Sequence, residues 1–172
     1  MPITRLNHAV LYVRDAERSA AFYEEVLGFR RVPVGLPGAV FLQASGSTND
    51  HDLGLFSVGG QAETFVRRRP GVGLYHLAWE VDTLAELERI AGELAAARSL
   101  TGASDHGTTK ALYGRDPDGI DFEVSWLVPA SLIDDEARRA REEIRPLDVE
   151  WEKARYGAFT PGGTGVSAPA VL

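Results

Sequence analysis

The chain has 172 residues, 44% of them hydrophobic and 25% charged, which suits one globular domain with some length to spare. A formal charge of −7 and a pI near 5.1 argue against general binding to nucleic acid or to an anionic membrane. There is no cysteine, so disulfides, thiolate metal sites and cysteine nucleophiles are excluded; any metal site must be built from histidine and carboxylate. No run approaches the roughly 18 apolar residues of a membrane span. The opening MPITRLNHAVLYVRD also lacks the apolar core of a signal peptide, so the expected location is cytoplasmic.

Residues 6–13, LNHAVLYV, are rich in β-branched, aromatic and aliphatic side chains and read as a strand. Residues 15–29 read as a helix, with Asp15 as N-cap, Ala21, Phe22, Val26 and Leu27 at helical spacing, and Gly28 at the stop. GAVFLQA (38–44) and HDLGLFSV (51–58) read as strands joined by a polar turn, and 59–73 reads as a linker from its Gly, Pro and Arg content. The order then restarts: a strand at 73–81, a helix at 82–100 with Leu84, Leu87, Ile90 and Leu94 on one face, and strands at 110–116 and 120–128 around a DPDG turn. Beyond about residue 129 the chain turns highly charged, with a surface helix expected at 131–145 and an irregular Gly/Pro/Ser/Thr-rich stretch at 156–172. Trp151 and Tyr156 either anchor this segment or sit on a loosely packed tail.

Sliding the chain by 68 residues lays NHAVLYV on YHLAWEV, with His8 on His76, and LGLFS (53–57) on DFEVS (121–125), with Leu55 on Glu123. One offset aligns the first strand, the helix and the last strand, which marks an internal duplication. The predicted architecture is α+β. If its halves pack with pseudo-twofold symmetry, the four repeat-related positions converge, occupied by His8, His76, Glu123 and Leu55.

Two imidazoles and a carboxylate on one face of a metal suit non-haem Fe(II), while the same donors also accept Mn(II), Zn or Ni. A cation would compensate Glu123, an acid set among Phe122 and Val124, although an acid there can also be paired or solvent-facing. Each histidine taken alone also has an ordinary structural reading, as a satisfied strand residue.

HAVLYVRDAERSAAFYEEVLGF, GLYHLAWEV and LYGRDPDGIDFEV resemble the vicinal oxygen chelate superfamily, which includes glyoxalase I, bleomycin-resistance proteins, fosfomycin-resistance enzymes and type I extradiol dioxygenases. The resemblance covers roughly residues 3–127. It implies paired βαβββ modules, about 3–66 and 73–127, forming a cupped eight-stranded mixed sheet with the helices outside. The domain so implied spans 1–129, followed by a C-terminal charged helix and tail at 130–172. It also implies a divalent metal held by His8, His76 and Glu123, and a homodimer.

Glyoxalase I members fill all four corners with ligands, whereas Leu55 offers no donor. Bleomycin-binding members generally lack the triad. The stretch GASDHGTTKALYGRDPDGIDFEVSW (102–126) is similar to small catechol 2,3-dioxygenases. That similarity makes His106 the acid/base residue and Tyr113 a hydrogen-bonding partner of a substrate hydroxyl or of oxygen. The implied activity is extradiol cleavage of a catechol-like aromatic diol with O2, using Fe(II). The alternatives are a glyoxalase-like isomerase, a fosfomycin-type thiol transferase or a metal-free binding protein.

His106 in SDHGTT also fits a solvated loop, Tyr113 a packed strand aromatic, and His51 a strand-edge residue. Asp116, Asp118 and Gly119 read as turn residues. Larger two-domain extradiol enzymes carry a further histidine shortly before the second metal ligand, and residues 55–75 contain none.

Overall fold

The computed structural model describes residues 2–3, 5–62 and 72–163; most of the expected linker, and the last part of the tail, lie outside the described residues. By contact the chain divides into two compact units, Met1–Pro70 with Asp116–Gly119, and Gly71–Arg115 with Ile120–Leu172.

The first unit runs β1 (Ala9–Val13), α1 (Ala16–Leu27), β2 (Arg30–Val32), β3 (Ala39–Gln43) and β4 (Leu53–Ser57). Its strands form one sheet in the order β1-β4-β3-β2, with β1 and β4 parallel. The Asp15 side chain caps α1 by accepting from the Glu17 and Arg18 amides, and Gly28 ends the helix in the left-handed region at φ 73°. Ala16, Ala20, Phe22, Tyr23 and Val26 form the buried stripe of the helix, packed with Leu11, Val13, Leu53 and Leu55 into the core.

Asp116–Gly119, the turn of the second strand pair, belongs to this unit. Asp118 accepts from the Arg14 guanidinium at 3.0 Å and from the Ser19 hydroxyl at 3.2 Å, while the Tyr23 hydroxyl donates to Asp116 at 3.4 Å. Burial, and then Asp116, hold the Tyr23 phenol well above its usual pKa. The DPDG sequence therefore does more than turn: its acids bind the first helix and Arg14, in the link between β1 and that helix.

The second unit repeats the plan with β5 (Leu77–Glu80), α2 (Leu84–Ala96), β6 (Leu100–Asp105), β7 (Thr109–Arg115) and β8 (Asp121–Leu127). Thr83 caps α2, and Leu84, Leu87, Ile90 and Leu94 are its buried face, the same four residues that the spacing singles out. The short strands β2 and β6 complete each βαβββ module and carry too few apolar residues in alternation to stand out in the sequence.

The chain continues through a 3-10 turn (Ala130–Leu132), α3 (Asp135–Ala140), β9 (Arg145–Pro146) and α4 (Val149–Tyr156). The expected helix at 131–145 is thus cut to six residues. β9 joins the second sheet, giving the order β5-β8-β7-β6-β9, so the architecture is α+β as expected, with the eight strands of the paired modules in two mixed sheets and β9 added to the second. Tyr156 is buried, whereas Trp151 is exposed. The Trp126 indole N–H reaches the Thr160 carbonyl at 3.3 Å, and the Gly162 amide reaches the Asp82 carbonyl at 2.7 Å, so the chain as far as 162 is bonded to this unit.

Candidate functional site

Alternation along β8 puts Phe122, Val124 and Trp126 into the core and leaves Glu123 and Ser125 on the opposite face. Glu123 is neither solvated nor isolated. Its side chain is 14% exposed; one carboxylate oxygen lies 3.1 Å from His76 Nε2, and the other accepts from the Ser125 hydroxyl. His76 immediately precedes β5, and β5 runs parallel to β8 with Ala78 opposite Glu123.

On the other side of β8, the antiparallel register sets Tyr113 of β7 directly opposite Glu123. The Tyr113 ring centroid is 6.2 Å from that of His76, and its hydroxyl lies 2.9 Å from His106 Nε2. Which group donates in that bond is set by the imidazole tautomer. Burial raises the Tyr113 pKa, and the nearby Glu123 charge raises it further, so the phenol keeps its proton at neutral pH. Four of the five residues singled out from the sequence, His76, His106, Tyr113 and Glu123, thus form one connected group within the second unit.

His8 belongs to the first unit, immediately ahead of β1. Its Nδ1 lies 2.8 Å from the Asn7 side-chain oxygen, and its ring centroid lies 4.5 Å from that of His51. His51 in turn meets Phe41 edge to face at 5.0 Å. Among the described residues no group of three or more His, Asp or Glu stands assembled around a shared metal position.

The His76–Glu123 pair nonetheless fits a cation. The 3.1 Å between Nε2 and the carboxylate oxygen is an ion-pair distance, and it is also close to the roughly 3 Å between donors at about 2.1 Å on adjacent corners of an octahedron. Ser125 would orient the carboxylate from outside the coordination sphere.

The pairing expected across the repeat needs one correction. In the first sheet Val10 pairs with Gly54 and Leu11 with Leu55; in the second Ala78 pairs with Glu123. Val10 and Ala78 are related by the 68-residue offset, so the counterpart of Glu123 is Gly54, not Leu55. Leu55 lies in the core, fully buried. The segment between β5 and β8 is one residue longer than its counterpart, and a one-residue slip in a strand exchanges its faces. Gly54, like Leu55, offers no donor side chain.

Residues 5–124 match the family model of the Glyoxalase/Bleomycin resistance protein/Dioxygenase superfamily. The chain belongs to that superfamily. Among curated proteins it is similar to the catechol-2,3-dioxygenase of Bacillus subtilis (strain 168), at 29% identity over 98% of this chain and 51% of that protein. The chain therefore spans about half the length of the curated relative it matches. Among solved structures, a glyoxylase/bleomycin resistance protein/dioxygenase domain from Frankia sp. EAN1pec aligns with a TM-score of 0.58 at 25% identity, covering 72% of this chain and 92% of that one. A lactoylglutathione lyase from Agrobacterium tumefaciens aligns with a TM-score of 0.53 at 26% identity, covering 73% of this chain and 95% of that one. No helix among the described residues is long and apolar enough to cross a membrane.

Proposed function

We propose that the protein is a metal-dependent extradiol dioxygenase acting on a catechol-like aromatic. The observation that carries the reading is the linked row His76–Glu123–Tyr113–His106, which sets a metal-fitting pair beside a phenol and an imidazole that share one hydrogen bond. The similarity to a catechol-2,3-dioxygenase supports it.

In this reading His76 and Glu123 hold the cation, and His8 enters as third donor because it precedes β1 as His76 precedes β5. A bound divalent ion, Fe(II) by the donor set, would gather the two vicinal oxygens of the substrate and O2 at one centre. His106 takes a proton from a substrate hydroxyl and returns it later in the cycle. Tyr113, protonated at neutral pH, offers its O–H to substrate oxygen and steadies the His106 ring. Glu123 is fixed within β8, and His76 lies one residue ahead of β5, so both sit on or next to a rigid sheet.

A second reading, a glyoxalase-like isomerase, draws on the lyase among the structural neighbours. Gly54 counts against it, since a four-ligand site would need a donor at that corner. Anaerobic loading with Fe(II), followed by catechol and O2, tests the first reading. A yellow ring-fission product is expected, and its absence with every catechol tried, from protein shown to be metal-loaded, would sink it.

A further inference from the structure

Residues after the family match are built into the turn that carries His106, and they reach it from three directions. β9 pairs with the end of β6, setting Arg145 opposite Asp105. Gly107, at φ 75°, packs so closely on α3 that a Cβ there would lie 2.2 Å from the Ala137 carbonyl oxygen and 2.8 Å from the Arg141 amide. From α4, Glu152 accepts from the Lys110 ammonium at 2.8 Å. Lys110 also donates to one Asp105 oxygen at 2.5 Å, and that same oxygen accepts the Gly107 amide at 2.8 Å.

Lys110 and Glu152 are 1% and 2% exposed in their side chains. Burying such charges rarely adds stability over an apolar core of equal volume, because desolvation offsets the attraction. Burial also pushes the Glu152 carboxyl above its usual pKa, against the pull of Lys110. What the arrangement does supply is direction. Lys110 orients the Asp105 carboxylate, the carboxylate holds Gly107, and His106 lies between those two residues with its Nε2 on the Tyr113 hydroxyl. Of the remaining backbone bonds of the turn, His106 to Thr109 and Thr108 to His106 close it on itself, and the Val128 amide donates to the Thr108 carbonyl at 3.0 Å, so Asp105 and Lys110 hold the His106 side of a turn that the end of β8 holds at Thr108.

We propose that Glu152 is a positioning residue for His106, acting through Lys110 and Asp105, so that the C-terminal segment is a working part of the site. This rests on the reading of His106 as the acid/base group. The full-length Fe(II)-loaded protein is compared as wild type, Glu152→Ala, Glu152→Gln, His106→Ala and the Glu152→Ala/His106→Ala double variant, using catechol as substrate. Hydrogen exchange of the Gly107 amide is followed on the Zn(II)-loaded forms.

Glu152→Ala is expected to lower kcat about tenfold, leaving KM and metal stoichiometry unchanged, and to speed Gly107 exchange by a similar factor. Glu152→Gln, whose amide oxygen still accepts from Lys110, should recover most of both. The double variant should be no slower than His106→Ala, because the two residues act as one unit. An equal further loss in the double variant, or Gly107 exchange unchanged in Glu152→Ala, overturns the proposal. Should Glu152→Ala fail to fold, Glu152→Asp, which draws the carboxylate back by one methylene, takes its place in every comparison. A fully active His106→Ala, or no ring-fission product from any form, sinks the acid/base reading instead. The Gly107 exchange then decides alone: faster exchange supports Glu152 as the holder of the turn, and unchanged exchange overturns it.

Discussion

On the sheet face turned away from its helix, the first module sets Val10 beside Gly54 and Gly54 beside Phe41; the second sets Ala78 beside Glu123 and Glu123 beside Tyr113. The two rows occupy the same three strands in the same order. In one, the occupants are aliphatic, absent and aromatic. In the other, a carboxylate replaces the empty position and a phenol replaces the phenyl ring. Each row ends near imidazoles, His8 and His51 in the first module, His76 and His106 in the second. Duplication thus supplies two equivalent frames, and the chemistry depends on which side chains fill them. Among the described residues, only the second frame carries a segment like 130–163 built onto its sheet.

The largest effect that would test this asymmetry is on metal binding. Glu123→Ala or His76→Ala should weaken the affinity for a divalent ion by more than about 100-fold, beyond what changes to residues supporting a ligand reach. The measurement is competition with a chelator, with circular dichroism as the check on folding. His8→Ala should fall as far, and Val10→Ala, on the same module, should not. If His8→Ala keeps full affinity, the first module contributes no donor and the asymmetry between the frames is complete. Next in size, His106→Ala should retain its metal and lose turnover by about 100-fold or more, the usual contribution of a positioned acid/base group.

How legible this was in the sequence depended on whether a feature lay in local pattern or in register. The α2 stripe of Leu84, Leu87, Ile90 and Leu94 is a matter of helical spacing, and the Asp15 and Gly28 caps are local chemistry, so both could be read directly. The Leu55–Glu123 pairing went wrong because it depends on a single residue's difference in length between two segments. Low identity across the halves hides such a difference, and period-two strands turn it into a change of face. Charge misled at the C-terminus: SLIDDEARRAREEIR is polar on most sides, yet Ala137 and Ala140 are buried, because small residues can pack without an apolar stripe. Glu152 could not have been singled out, since its partner Lys110 is 42 residues away and neither residue breaks a pattern.

The smallest predicted effects compare two glycines that share a sheet context but not a space. At Gly114 on β7, an added Cβ would lie 2.5 Å from Cζ of Phe122, a ring fixed in the core. Gly114→Ala should therefore cost about 1–3 kcal/mol, the usual range for overpacking, visible as a lower denaturation midpoint. At Gly54, which is itself buried, the nearest atoms are Phe41 Cε1 at 3.4 Å and Val10 Cγ2 at 3.5 Å, both ordinary van der Waals contacts. Gly54→Ala should stay within about 0.5 kcal/mol of wild type, because the methyl group fills space no other atom claims. Neither glycine has the positive φ that would penalise a side chain whatever the room, so the contrast isolates packing from backbone strain. A Gly54→Ala loss as large as that of Gly114→Ala would mean that Phe41 and Val10 already close this face. The position that corresponds to Glu123 would then be filled by packing, and the two rows would differ in shape as well as in chemistry.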